Sequence, residues 1–472
     1  IQNNSISLNR AYRNSFGIYS NVRHTSTNVS VIADATSAGG ANSANDFYGN
    51  TISNVNMGIA LIGSGNAAAM DLSNDVGGSV AATGNTISDW GGITPASSFV
   101  SNADGCFGIY LNHQKSENIA FNTITSASLA ATVVPVRGIH KAYTATAATG
   151  TFTSFITNNT ISISSGSFLN GICSEGLVFG SNNATININN NTLLNLSTFG
   201  TDIIGITNSS EPIALNINNN IFRGNTSGAT TSGFTGIRNT GTIFSTLNIN
   251  NNKLGDASGN AITFSGATSG AINGISCPVT GDDLLLSISG NNFQGFVQNV
   301  TGTGNHNYIS YVHAPNFTTT VNINSNTFTN LTANTQGNVT FISRSGVMAL
   351  NAGVTENCSN NSIVTAFNKP DGNGTITLYQ AESVSLPGNT MVQTGNNFSN
   401  INFPNVNTVV GWNNSEGDAI TGNGPTKTIN LNTFSNWTFG NGKAIVIALI
   451  GGGATSSVSF NTISTISSNA SF

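Results

Sequence analysis

Apolar residues recur along this chain at fixed offsets from asparagine. In "NINNNTLLNL" (187–196), Ile188, Leu193 and Leu196 stand at −3, +2 and +5 from Asn191. The same register fits fourteen anchors: Asn4, Asn50, Asn85, Asn122, Asn159, Asn191, Asn220, Asn252, Asn291, Asn326, Asn361, Asn396, Asn432 and Asn461. Neighbouring anchors lie 29 to 46 residues apart. Position +2 is Ile, Leu or Phe in every copy, and −3 is apolar everywhere except at Gln393. Before the anchor, apolar and polar residues alternate, as in "LNINNNIF" (215–222) and "VNINSNTF" (321–328). That is the period of a strand, not a helix. A second short strand follows the anchor ("NTISNV", 50–55), and a third opens with Gly-Ile after a variable loop ("GIYL", 108–111; "GIHK", 138–141; "GICS", 171–174). Helical patterns are absent.

Three short strands per repeat of about 35 residues predict an all-β parallel β-helix of about 14 coils. Strands of successive coils would stack about 4.8 Å apart, and each fully buried Ile, Leu or Phe would contribute roughly 1.5–3 kcal/mol. From −3 to +2 is an odd step, so both residues face inward only if the chain bends at the anchor. Asn tolerates the left-handed backbone such a bend needs, and its amide both donates and accepts. The anchors are therefore expected to form an Asn ladder at one bend, each taking the left-handed conformation itself. A polar column at +4 (Asn54, Asp89, Asn195, Asn330, Asn400, Asn436) is expected to do similar duty. The competing architecture is a pair of seven-bladed propellers. It needs four strands in ~40–50 residues, whereas these repeats are as short as 29.

With this Asn column the chain resembles the right-handed parallel β-helix superfamily, the pectate-lyase-like fold with an Asn ladder at one bend. Its repeats are similar to those of large bacterial surface proteins. The resemblance covers 1–472 as a single β-helix, read as a segment of a longer secreted chain. It is specific for fold and unspecific for function, because the family includes polysaccharide lyases, hydrolases, phage tailspikes, adhesins and inert fibres.

Composition narrows the picture. Only 7% of residues are charged, against about 25% in ordinary domains, yet the hydrophobic share of 38% is not that of a disordered chain. The 13 basic residues are thinly spread, so nucleic acid is not an expected partner. The longest apolar candidate, "AIVIALIGGGA" (444–454), is too short to span a bilayer, so no membrane insertion is expected. Low charge and few cysteines fit an extracellular or cell-surface location, read as bacterial. Cys106, Cys173, Cys277 and Cys358 lack metal spacing and sit two or more coils apart, so no disulfide is expected. Cys358, in the −3 column, should be a buried free thiol.

The resemblance implies that enzymes on this fold work with clustered carboxylates or basic residues on the outer face. Here the acidic residues are scattered. Adjacent Asp282 and Asp283 read as a polar loop. The densest polar constellation is Asp104, Tyr110, His113, Lys115, Glu117, Arg137, His140 and Lys141. Tyr110 and His140 each follow Gly-Ile in neighbouring coils, and are expected on adjacent rungs facing solvent. The set Tyr110, His113, Lys115, Arg137, His140 and Lys141 is the candidate binding patch for a sugar or protein, although charges also gather where loops are long. No catalytic residue, metal site or cofactor is assigned. Thr-x-Ser/Thr recurs at Thr51/Ser53, Thr86/Ser88, Thr123/Thr125 and Thr160/Ser162, and breaks at Leu194, Arg223, Gly255 and Gln294. Such arrays resemble those of ice-binding proteins.

The leading expectation is a non-catalytic extracellular structural or adhesive surface protein. Neither end shows a capping pattern, so further sequence or another copy should cover the ends, and stacking of copies would build a filament. A polysaccharide-binding or polysaccharide-degrading β-helix is the alternative, and ice binding the minor one.

Overall fold

A computed structural model describes residues 1–472 except 24–33, 96–98, 101–104, 130–133, 143–149, 177–183, 280–284, 313–319, 346–352, 372, 383–384, 386, 406–407, 418–423, 454 and 469–472. Asp104, Asp282 and Asp283 thus lie outside the described residues. The chain divides into two units, Ile1–Ile221 and Phe222–Phe472.

Each unit is a parallel β-solenoid with three strands per coil. In the first unit the Gly-Ile sheet stacks Phe16–Asn21, Met57–Ile62, Cys106–Asn112, Val136–Ala142, Leu169–Glu175 and Ile203–Asn208. The strands before the anchors stack from Asp46–Phe47 to Ala214–Asn216, and those after them from Ser5–Ser7 to Thr192–Leu194. In the second unit the Gly-Ile sheet runs from Phe234–Asn239 to Lys443–Leu449, and the strands before the anchors from Thr246–Asn250 to Ser457–Ser459. Pairing is parallel and joins equivalent strands of successive coils, for example Ile52↔Ile87 and Phe293↔Phe328. That pairing excludes propeller blades. The Gly-Ile sheet holds six described rungs in the first unit and seven in the second, slightly fewer than the fourteen coils expected. Short 3₁₀ turns at Ala38–Gly40 and Ala81–Thr83 are departures from the all-strand pattern.

The +2 column forms the core. Ile52, Ile87, Ile124, Ile161 and Leu193 are buried in the first unit, and Leu254, Phe293, Phe328, Phe398 and Phe434 in the second. Phe293 and Phe328 stack with centroids 5.1 Å apart. The glycine of Gly-Ile faces this column: a Cβ on Gly108 would meet Ile124 Cγ2 at 2.6 Å, and one on Gly138 would meet Ile161 Cγ2 at 2.7 Å. In the Asn85 copy the −3 role passes from exposed Ala82 to Val76, which pairs with Phe47 and Ile119.

The bend differs from the expectation. The anchors are not left-handed; the residue before each usually is, with φ of 56° at Asn3, 58° at Asn158, 59° at Asn190 and 58° at Asn360. The −1 residue turns the corner, and the anchor points inward. Left-handed φ recurs at +4, at Asn54, Asp89, Asn195, Asn330, Asn400 and Asn436, so that polar column marks a second corner.

The ladder itself is present in each unit. In the first, Asn50 donates its backbone N–H and Nδ2 to Asn85 Oδ1 (3.0 and 2.9 Å), and the pattern continues through Asn122, Asn159, Asn191 and Asn220. In the second it runs from Asn252 through Asn291, Asn326, Asn361, Asn396 and Asn432 to Asn461. Anchor Nδ2 groups also donate to the −3 carbonyl of the preceding coil, as Asn191 to Ile156 O and Asn326 to Ile288 O (both 2.8 Å), while Asn122 uses Val76 O at 2.9 Å. An interior anchor amide therefore makes all four hydrogen bonds open to it.

Candidate functional site

The polar constellation at 104–141 separates into three environments. Lys115 belongs to a small two-stranded sheet, Asp71–Leu72 paired with Gln114–Lys115, and His113 turns the chain into it with φ of 53°. Asp71 there accepts from Gln114 Nε2 (2.9 Å) and Asn42 N (2.8 Å), and burial pushes its carboxyl up to about 6. Burial pulls the His113 imidazole down to about 4.

Lys141 points into the solenoid. Its Nζ pairs with the Glu117 carboxylate and donates to Ser154 Oγ at 2.6 Å, and both charged side chains are buried. Lys141 is thus no surface cation. Burial lowers its pKa, against the pull of Glu117.

Tyr110 and His140 do share a column, being register partners on adjacent rungs. The expectation that they face solvent is corrected: both are fully buried. Alternation puts them on the outer side of the sheet, but a further apolar layer covers that side. Phe107 and Tyr110 cluster with Met57, Ala60, Ile62, Val100 and Ala142, and Phe16 and Tyr19 pack against them. Tyr19 Oη donates to Phe99 O at 2.9 Å, and Phe16 stacks on Phe99. His140 lies against Phe107 and Tyr110, with centroids 4.9 and 5.5 Å away.

The next rung completes a cluster that the sequence reading did not assemble. His140 is the register partner of Cys173, and Ala142 that of Glu175. His140 Nε2 and Glu175 Oε1 are 2.5 Å apart, and the Cys173 thiol donates to Glu175 Oε2 at 3.6 Å. One donor atom from each of the three lies within 4.8 Å of the others. Burial lowers the His140 pKa, with the Glu175 hydrogen bond opposing it. Burial also raises the Cys173 thiol well above its ordinary value, so the thiol is protonated and a poor nucleophile. Arg137, of the patch, sits over the Phe107 ring at 5.7 Å. Its Nε and Nη1 have no hydrogen-bond partner among the described residues, and neither has His140 Nδ1. No spacing motif signals this cluster, because only coil register unites residues 33 and 35 positions apart.

Two other features escaped the sequence reading. Asp46 and Asp75 are register partners, and the Tyr48 hydroxyl bridges them at 3.0 and 2.9 Å. In the second unit Arg344 pairs with Glu356 (2.7 Å) and Glu416, all fully buried. Tyr379 Oη donates to Glu356 at 2.6 Å.

The exposed face after the anchors carries the Thr/Ser columns in strict register. One is Ser5, Thr51, Thr86, Thr123 and Thr160; the other is Ser7, Ser53, Ser88, Thr125 and Ser162. All are exposed or half-buried. An open groove of about 190 Å³ beside them, between Asp89, Thr125, Ser162 and Asn195, is smaller than ordinary ligand pockets. All four cysteines are free and buried. No family model matches the chain, and no curated protein or solved structure is significantly similar to it.

Proposed function

We infer that the chain is a non-catalytic structural or adhesive element of an extracellular surface, of the right-handed β-helix type that the Asn ladder resembles. The observation that carries this reading is where its charges lie. Lys141, Glu117, Arg344, Glu356, Glu416 and Lys427 are buried inside, whereas regular Thr and Ser columns face out. Burial of Tyr110, His140 and Lys141 also removes the exposed residues a polysaccharide groove would use. Val458 and Ile463 are half-exposed, whereas their register partners Ile429 and Phe434 are fully buried. A further layer of strands stacked there, from the same chain or from a second copy, would cover them; the filament form of this reading takes the second copy.

A glycan array, reducing-end and lyase assays, and sedimentation with electron microscopy test the proposal together. Glycan turnover absent from wild type and from Asp46→Asn alike, with end-to-end particles at high concentration, supports it. Turnover that Asp46→Asn or Asp75→Asn abolishes would replace it with the enzymatic reading.

Ice binding is the second reading, favoured by the Thr/Ser register over five coils. Thermal hysteresis that Thr86→Lys and Thr123→Lys each reduce would support it; the absence of ice-crystal shaping would dismiss it.

A further inference from the structure

We propose that His140, Cys173 and Glu175 form a binding site for a thiophilic divalent cation, with Zn²⁺ as the ion their chemistry fits best. The donors come from two neighbouring strands, Val136–Ala142 and Leu169–Glu175, whose parallel pairing fixes His140 beside Cys173. One imidazole nitrogen, one sulfur and one carboxylate oxygen lie within 4.8 Å of one another. Zn²⁺ bonds of ~2.0–2.3 Å to N, O and S place tetrahedral ligands about 3–4 Å apart, so small side-chain movements close the set. Glu175 is the group placed to make them: it is the last residue of its strand and its side chain is 30% exposed, whereas His140 and Cys173 are buried within paired strands.

Donor chemistry selects the ion. Ca²⁺ and Mg²⁺ take oxygen ligands and reject a thiol–imidazole pair, whereas Zn²⁺ takes all three donor types. A second observation is independent of the proximity. His140 is completely buried, and its Nδ1 meets no partner among the described residues, a costly state for a polar nitrogen. Other buried polar atoms share that state, Trp90 Nε1 and Tyr308 Oη among them, but His140 is the imidazole that stands beside a thiol and a carboxylate. His140 Nε2 and the Cys173 thiol both converge on the Glu175 carboxylate, so the three donor groups already face one another.

Binding replaces the S–H bond of Cys173 by a metal–sulfur bond and releases that proton to solvent, while neutral His140 gives its nitrogen lone pair and Glu175 a carboxylate oxygen. Thiolate and carboxylate neutralise the ion. The fourth position is left open, and the Arg137 guanidinium, which bears on both Cys173 and Glu175, would favour an anion there, such as hydroxide or a small carboxylate. Tyr110 and Phe107 wall the site on the neighbouring rung. This site stands apart from the scaffold reading and survives its failure.

The test uses the full chain freed of metal by chelation. ZnCl₂ is titrated by calorimetry, and CoCl₂ is followed by absorption, where a thiolate ligand gives a sulfur-to-cobalt charge-transfer band. One equivalent of each ion is expected, with the band present. Cys173→Ser, nearly isosteric, should remove the band and weaken Zn²⁺ binding by roughly 100-fold, and His140→Gln by roughly 10-fold or more. Cys106→Ser should change neither, since that thiol lies outside the cluster and already donates to Ile93 O at 3.2 Å. Circular dichroism establishes that each variant is folded. Folded wild type that binds no Zn²⁺, or a band that survives Cys173→Ser, would overturn the site.

Discussion

Asn191 donates both its backbone N–H and its side-chain Nδ2 to a single oxygen, Oδ1 of Asn220, at 2.9 and 3.1 Å. One carboxamide oxygen thus closes two donors of the coil before it, while its own nitrogen reaches back to the carbonyl of Ile188 at 2.8 Å. The inward bend buries the amide, and the ladder satisfies it.

The corner preceding each anchor gives the first prediction. Leu431 holds φ at 57°, where most copies place Asn or Gly, and its side chain is 59% exposed. A left-handed L-residue costs about 1–2 kcal/mol, less for Asn. Leu431→Asn should therefore stabilise the chain by roughly 1 kcal/mol, read as a shift in urea midpoint. A loss of stability would mean that Leu431 packs in a way its exposure does not suggest.

The interior ion pair gives the second. Lys141→Met leaves the Glu117 carboxylate buried beside Ser154 with no cation, and should cost about 3–5 kcal/mol. The double change Lys141→Met with Glu117→Leu removes both charges and should cost distinctly less. A double-mutant cycle by chemical denaturation measures the coupling; additive single effects would remove the pair as a structural element.

Acid sensitivity gives the third. Burial holds His306 down at about 3, with Lys369 adding to the effect, and His113 at about 4. These folded-state values lie below the unfolded one, so the unfolded chain binds more protons. Stability is complete above about pH 6.5 and falls as pH drops, by roughly 1.4 kcal/mol per pH unit for each imidazole. Asp71, raised to about 6, works the other way: its contribution is full below about pH 4 and is lost as pH rises through 6. Two imidazoles outweigh one carboxyl, so the denaturation midpoint should fall between pH 6.5 and 4. His306→Gln should flatten that slope by about one proton; an unchanged slope would show that His306 does not titrate there.

What the sequence disclosed follows from where the information lies. The +2 column and the anchors repeat in every coil, so one chain carries its own alignment. Gln393, the lone polar residue at −3, is explained only across strands: its Oε1 accepts from Trp412 Nε1 at 2.6 Å and Asn414 Nδ2 at 3.0 Å. The layer over Tyr110 and His140 had a signal. "MGIALI" (57–62) and "CFGIYL" (106–111) are apolar on both alternating faces, which is how parallel strands covered on both sides read. The His140, Cys173 and Glu175 cluster had none, because its members meet only through coil register.

Two adjacent asparagines test the ladder most directly. Asn190 is exposed and turns the corner at φ 59°, whereas Asn191 is fully buried and bonded on both sides. Asp in place of Asn191 would set a buried carboxylate oxygen against Ile156 O and Asn220 Oδ1, the two acceptors its Nδ2 now serves. The equilibrium denaturation midpoint should record a loss of about 3 kcal/mol or more for Asn191→Asp and of about 0.5 kcal/mol or less for Asn190→Asp. Equal losses, or a greater loss at Asn190, would contradict the ladder.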